Sequence, residues 1–395
     1  MFVAHKAGDE PCVICYRPPR DLVSRIRRTV RRKIISMAVE RYSSTAPAGL
    51  SFFTHDRTVY GGDPWRHMPE NDVLQLHFIS QFVDYQAFFS AIPRNKQLVW
   101  TMHGMEALTG GCHYDYGCGK FTQECGACPQ LGSQSELDLT RRVWRRKRDG
   151  YQKIGSNQLH IVSPSRWLHD QVKRSSLLCR FGCSVIPYGL DTEIFAPRDR
   201  RAARLALEVP LEAKIILFVA YGVDDPRKGF HLLATALAGM GVKDNTFLLS
   251  IGPGSLLPPQ GLPHKHIGSI GDDRALSNIY SASDVFVVPS VQENLPNTAL
   301  EAIACGTPIV GFDVGGIPDI VRPGVTGLLA RPGDAVELRS AILELLQNDW
   351  KRAEMSANCR SIALQEYALE IQARRYTQLY QDHLKKTAAR VLETV

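Results

Sequence analysis

Two glutamates, an adjacent cationic pair, two histidines and four clustered cysteines are the residues of this 395-residue chain whose types and spacing could do chemistry. Glu293 and Glu301 lie in DVFVVPSVQENLPNTALEAIACGTPIVGFDVGGIPDIV, residues 284–321. An apolar run ends at Pro289, a polar loop carries Glu293, and a helix opens near Asn297, whose side chain suits an N-cap. The unpaired N–H groups of such a helix start suit a phosphate. Glu301 falls one turn inside that helix, where a carboxylate accepts hydrogen bonds from sugar hydroxyls, each charge-assisted bond contributing roughly 1.5–3 kcal/mol. Upstream, Asp225-Pro-Arg-Lys-Gly229 follows an apolar run. Arg227 and Lys228 there could neutralise a diphosphate, while Gly229 lets backbone approach closely; alone, the segment also reads as a β-turn with solvated charges.

His77 and His103 each end an apolar run, VLQLH and LVWTMH. Either imidazole could reach a ligand from a strand's carboxyl end, although single histidines are more often structural. Cys112, Cys118, Cys125 and Cys128 gather four of ten cysteines into TGGCHYDYGCGKFTQECGACPQL. A structural zinc ion held by four thiolates, a disulfide pair, and free thiols all remain open, since only Cys125-Gly-Ala-Cys128 has the usual ligand spacing.

The elements that must position these groups follow from hydrophobic patterning. KIILFVA, TFLLSIG, DVFVVPS and TPIVGF read as buried parallel strands separated by amphipathic segments, and MFVA, DVLQLHF, QLVWTMH and LHIVSPS repeat the pattern in the first half. Each half is therefore expected to be a doubly wound α/β domain, with ligands beyond the carboxyl ends of its strands and a cleft between the two. The boundary falls in PYGLDTEIFAP, giving an acceptor-binding domain over 1–190, a donor-binding domain over 191–364, and a C-terminal helix over 365–395 packing back towards the first. No run approaches the roughly 20 apolar residues of a membrane span, and no secretory leader is apparent, so a cytoplasmic location is expected.

The net charge of +7 is uneven: residues 1–180 carry 26 Lys/Arg against 16 Asp/Glu, the remainder 21 against 24. RIRRTVRRK, residues 25–33, and RRVWRRKR, residues 141–148, concentrate the excess. Val23, Ile26, Val30 and Ile34 recur at helical spacing through the first run, which describes a basic amphipathic helix able to lie on the inner face of an anionic membrane, or equally a solvated helix packed by its stripe. No nucleic-acid motif or aromatic interleaving accompanies the charge, which argues against a nucleic-acid partner.

The strand, loop Glu293, Asn294-Leu-Pro-Asn-Thr298 helix start, Glu301, and Gly315-Gly316-Ile-Pro-Asp together resemble family 4 of the retaining glycosyltransferases. The resemblance implies an α/β, GT-B chain: two Rossmann-like doubly wound domains facing across a cleft. It implies transfer of a sugar from a UDP- or GDP-sugar to a glycan or lipid-linked acceptor in polysaccharide biosynthesis, with no cofactor required for catalysis. Catalytic roles then fall to Glu293, His103 and Lys228. Donor contacts fall to Arg227, Lys228, Gly229, Gly252, Gly254, Ile270, Glu293, Asn294, Leu295, Asn297, Thr298 and Glu301. The cysteine block is similar to that of bacterial members that build surface polysaccharides. Three places depart from the pattern. The family's usual Glu after Gly-Gly-x-Pro is Asp319 here. The family's Arg five residues before Lys-Gly is missing, so Arg227 takes its role, and the first Gly-Gly pair, Gly61-Gly62, comes too late for the usual first loop, as though one βα unit were absent. Ala at Lys228 or Glu293 is expected to cut transfer with little change in thermal stability. The alternative is a non-catalytic carbohydrate- or membrane-binding protein on the same fold, which would need neither the glutamates nor the cationic pair.

Overall fold

The computed structural model describes residues 2–4, 12–14, 21–42, 44–47, 53–59, 71–240 and 245–393. The chain forms two compact units. The first comprises residues 1–164, 168–185 and 377–395, and the second residues 165–167 and 186–376. Gly61 and Gly62 lie outside the described residues.

Strands β1 (Phe2–Ala4) and β2 (Cys12–Ile14) pair antiparallel as a separate two-stranded sheet. MFVA was expected to join a parallel sheet, and this corrects it: seven residues between two three-residue strands leave no room for a crossover helix, so antiparallel pairing is what remains. The parallel sheet of the first unit runs in the order β3 (Val73–Leu76), β4 (Gln97–Thr101), β5 (Leu159–Ser163), β6 (Gly182–Val185). β4 is buried along its whole length, and Trp100 packs on Tyr85, Phe89 and Tyr151.

In the second unit six strands are all parallel: β7 (Lys214–Val219), β8 (Thr246–Ile251), β9 (His264–Ile267), β10 (Val285–Val288), β11 (Ile309–Phe312) and β12 (Gly327–Ala330). Their order is β12-β11-β10-β7-β8-β9. Alternate residues serve two cores: Leu217, Phe286 and Ile309 on one face, Ile216, Val287 and Val310 on the other. Burial on both faces explains the continuous apolar runs of the central strands. The chain proceeds outward from β7 through β8 to β9, then returns to lay β10 on the other side of β7. That reversal opens a crevice at the carboxyl ends of β7 and β10, where ligands of such sheets bind.

Candidate functional site

The segments that follow β7 and β10 meet at this reversal. After β7, Asp225 accepts the Arg227 N–H at 2.9 Å and caps a 3₁₀ turn over Pro226–Lys228. Gly229 ends the turn at φ 72°, and a Cβ there would fall 1.8 Å from the Pro289 carbonyl oxygen, so the two loops lie backbone to backbone. The loop after β10 is seated from its other side. Gly315, at φ 56°, would put a Cβ 1.7 Å from the Glu293 carbonyl oxygen, and the Gly316 N–H donates to that oxygen at 3.3 Å.

This frame brings together three residues singled out in sequence. Lys228 Nζ donates to Glu293 Oε2 at 2.5 Å, and Arg227 Nη1 donates to the same oxygen and to the Gln292 carbonyl, each at 3.2 Å. All three side chains are largely buried, the Glu293 side chain being 10% exposed. Burial alone would raise the Glu293 carboxyl, but Lys228 and Arg227 outweigh it and hold the group below the usual carboxylate range.

The helix Asn297–Ala304 opens beside Glu293, with Pro296 rather than Asn297 as its N-cap and no side-chain cap. This corrects the capping role given to Asn297: Pro296 takes the extended cap conformation, φ −71° and ψ 121°, and Asn297 is already the first helical residue with an exposed side chain. The N–H groups of Asn297 and Thr298 have no acceptor among the described residues, which leaves two donors at the positive end of the helix. Glu301, on the same helix, accepts from the Tyr280 hydroxyl at 2.8 Å. Its carboxyl is pushed up to about 6, by burial first and by the Asp273 charge, with the Tyr280 bond opposing. Leu295 is 4% exposed and belongs to the core, so it offers a ligand only backbone. Gly252 and Gly254 form the turn after β8, and Ile270 packs its partly buried side chain on the core beyond β9.

Ser165 and Arg166 also reach this site, and neither carried a sequence signal. Ser165 Oγ donates to Asn294 Oδ1 at 2.6 Å, and the Arg166 N–H donates to Asp319 Oδ2 at 2.7 Å. Residues 165–167 thus belong to the second unit although β5 and residues 168–185 belong to the first. Partners 129 and 153 residues apart leave no local pattern to read.

His103 and Cys112, Cys118, Cys125 and Cys128 lie in the first unit. His103 Nε2 is 3.1 Å from His77 Nδ1 across the ends of the neighbouring strands β4 and β3, the rings stacking at 5.3 Å. Packing around the ring, and then the His77 charge, lower His103 to about 4, so both imidazoles are neutral at pH 7 and one donates to the other. The four cysteines line one small cavity as free thiols. Burial pushes Cys112, Cys125 and Cys128 up, and Cys125 Sγ accepts the Gly110 N–H at 3.2 Å. Among the described residues no group of three or more His, Cys, Asp or Glu is already placed as a metal donor set.

Known proteins are similar to parts of this chain in sequence or in fold. The D-inositol 3-phosphate glycosyltransferase of Mycobacterium avium (strain 104) is 34% identical over 184 residues, covering 41% of this chain and 40% of that protein. The chain thus matches about two fifths of the length of that relative. Sucrose-phosphate synthase from Thermosynechococcus elongatus shares the fold with a TM-score of 0.62 at 24% identity, over 80% of this chain and 75% of that one. Anabaena Alr3699/HepE, crystallised with UDP and glucose, does so with a TM-score of 0.54 at 18% identity, over 73% and 72%. The fold is accordingly α/β of the GT-B type, with two Rossmann-like units. Residues 213–348, which contain Arg227, Lys228, Glu293 and Glu301, match the model for Glycosyl transferases group 1.

Proposed function

We propose that the protein is a retaining glycosyltransferase that moves a sugar from a UDP- or GDP-sugar to a glycan or lipid-linked glycan acceptor in polysaccharide assembly. The observation that carries this reading is the Arg227–Lys228 pair seated with Glu293 at the β7–β10 reversal. UDP and glucose in the HepE crystal support the donor class. Lys228, Arg227 and the N–H groups of Asn297 and Thr298 stabilise the charge that grows on the leaving diphosphate. Fixed cations do this work, so turnover needs no metal ion. Glu301 accepts from ribose hydroxyls, and Glu293 orders hydroxyls of the donor sugar.

Screening nucleotide sugars for thermal stabilisation tests the reading. A cognate donor at about 100 times its Kd should add roughly 2.7 kcal/mol of stability, visible as a raised Tm, and should be hydrolysed slowly without acceptor. The gain should grow between pH 5 and 7, because Glu301 is protonated below about 6 and only its ionised form accepts strongly. Glu301→Gln should flatten that rise. A chain that no nucleotide sugar stabilises would defeat the proposal.

Two accessory features belong to the same reading. No residue of the helix Leu22–Glu40 is buried, and Val23, Ile26, Val30, Ile34 and Met37 are each more than half exposed beside six basic side chains and one acidic. No helix among the described residues is long and apolar enough to cross a membrane. We propose that this helix lies along an anionic lipid surface on the cytoplasmic side, its stripe in the interface and its arginines at the headgroups. We also propose that the cavity of Cys112, Cys118, Cys125 and Cys128 takes a structural zinc ion, the sulfurs drawing in as metal replaces their protons. Metal analysis of protein purified under reducing conditions should find one zinc per chain; protein that folds and melts identically without metal overturns this.

A further inference from the structure

Two cavities adjoin on the first unit beneath the helix Leu22–Glu40, and the donor chemistry uses neither. One, of 330 Å³, is polar and includes Arg31, Arg57, Arg146 and Asp84 in its wall. The other, of 390 Å³, is walled largely by Ile35, Val39, Phe53, Val59 and Phe82. Ile35 and Arg57 line both, so the polar space opens beside the apolar one. Helix geometry supplies part of this wall. Ile35 and Val39, four residues apart, share a face that is partly buried, while Ile26 and Val30 belong to the exposed stripe.

The charges around the polar cavity are unequal in what they are doing. Arg146 is held by Asp56 through Nε at 2.7 Å and Nη2 at 2.5 Å, with Asp56 almost wholly buried behind it. Arg31 faces Asp84 at 3.5 Å. The Arg57 backbone N–H donates to His55 Nδ1 at 3.2 Å, whereas its guanidinium has no acceptor among the described residues. Among the described residues Arg57 is therefore the surplus cation, and it stands where the polar and apolar spaces join. A guanidinium there matches a phosphate by paired N–H donation, and an apolar chamber next to it matches a hydrocarbon chain.

We propose that this double cavity binds a lipid phosphate, with the phosphate at Arg57 and Arg31 and the chain among Ile35, Val39 and Phe82. The inference deepens the acceptor side of the proposed function and rests on it only in naming the bound lipid as the acceptor's carrier. Binding itself is measurable without any donor.

Calorimetry with geranyl phosphate below its micelle concentration tests it, with geraniol and inorganic phosphate as separate arms. Geranyl phosphate should bind at least tenfold tighter than either arm. Arg57→Gln and Ile35→Ser should each weaken it about tenfold or more; Arg57 is exposed and Ile35 half-buried, so both variants should melt near the parent. Ile26→Ser, on the outer stripe, should keep geranyl phosphate affinity while reducing pelleting with phosphatidylglycerol vesicles. Equal binding of inorganic phosphate and geranyl phosphate would overturn the lipid site in favour of a plain anion pocket. Unchanged affinity in both cavity variants would overturn it as well. Nucleotide-sugar stabilisation is read separately on the same variants: its absence, with geranyl phosphate still bound, would remove the glycosyltransferase reading and leave this site standing.

Discussion

Lys228→Ala should lower kcat for sugar transfer by roughly 10²–10³-fold, the scale on which one preorganised donor to a developing oxyanion acts. The loss should appear in kcat and kcat/KM together, because the diphosphate gains its extra charge only as the glycosidic bond breaks. Stability should hardly change. Glu293 keeps Arg227 as a partner at 3.2 Å, and the Lys228 side chain is 20% exposed, so no buried charge is stranded. Lys228→Arg should restore a minor part of the rate, since a planar guanidinium keeps the charge without the reach of a point-like ammonium. A Lys228→Ala enzyme with parental kcat would remove the leaving-group role.

Glu293→Gln should do three things that pull in different directions. Transfer should fall by two orders of magnitude or so, because the charge-assisted bonds to the sugar hydroxyls are gone. UDP should bind several-fold tighter, since in the donor-free protein the Glu293 carboxylate already engages the cations that the diphosphate must recruit. The fold should lose roughly 1–3 kcal/mol, because Lys228 loses its carboxylate partner while Arg227 keeps Asp225 at 3.3 Å and the Gln292 carbonyl. This last outcome revises the expectation that a change at Glu293 leaves the melt untouched. The pH dependence carries its own sign. The Glu293 carboxyl is held below its ordinary value of 4.5, so its contribution is present above that pH and is lost as pH falls through the depressed value. The stability gap between parent and Glu293→Gln should therefore shrink in acid. Weaker UDP binding together with an unchanged melt would show that Glu293 does not hold these cations.

Most of the strands legible in sequence are those where burial is two-sided, although β3, an edge strand of the first sheet, was legible from its apolar residues. β7, β8, β10 and β11 sit inside the second sheet and read as unbroken apolar runs. β6, β9 and β12 are edge strands, and β9, His-Lys-His-Ile, looks like a loop because one flank and part of its surface meet water. Of the site, Glu293, Glu301 and Lys228 were recognisable from local context, whereas their ion pair was not: 65 residues separate Lys228 from Glu293, and only the β10-β7 neighbour relation joins them. The same holds for His77 and His103, each noticed alone but coupled only because β3 and β4 are adjacent. Ser165 and Arg166 had no signal at all. Their partners depend on which compact unit a three-residue stretch joins, and that is decided by tertiary contacts rather than composition.

The close seating of Gly229 on Pro289 and of Gly315 on Glu293 also bears on how this protein could be re-engineered. The loops touch through main-chain atoms, so their spacing is fixed by missing side chains and is insensitive to most substitutions elsewhere along them. Libraries aimed at a different sugar can therefore randomise outward positions such as Tyr221, 92% exposed at the end of β7, and keep a rigid scaffold. Adding a single methyl at either glycine would instead wedge the scaffold apart before any new specificity could be selected.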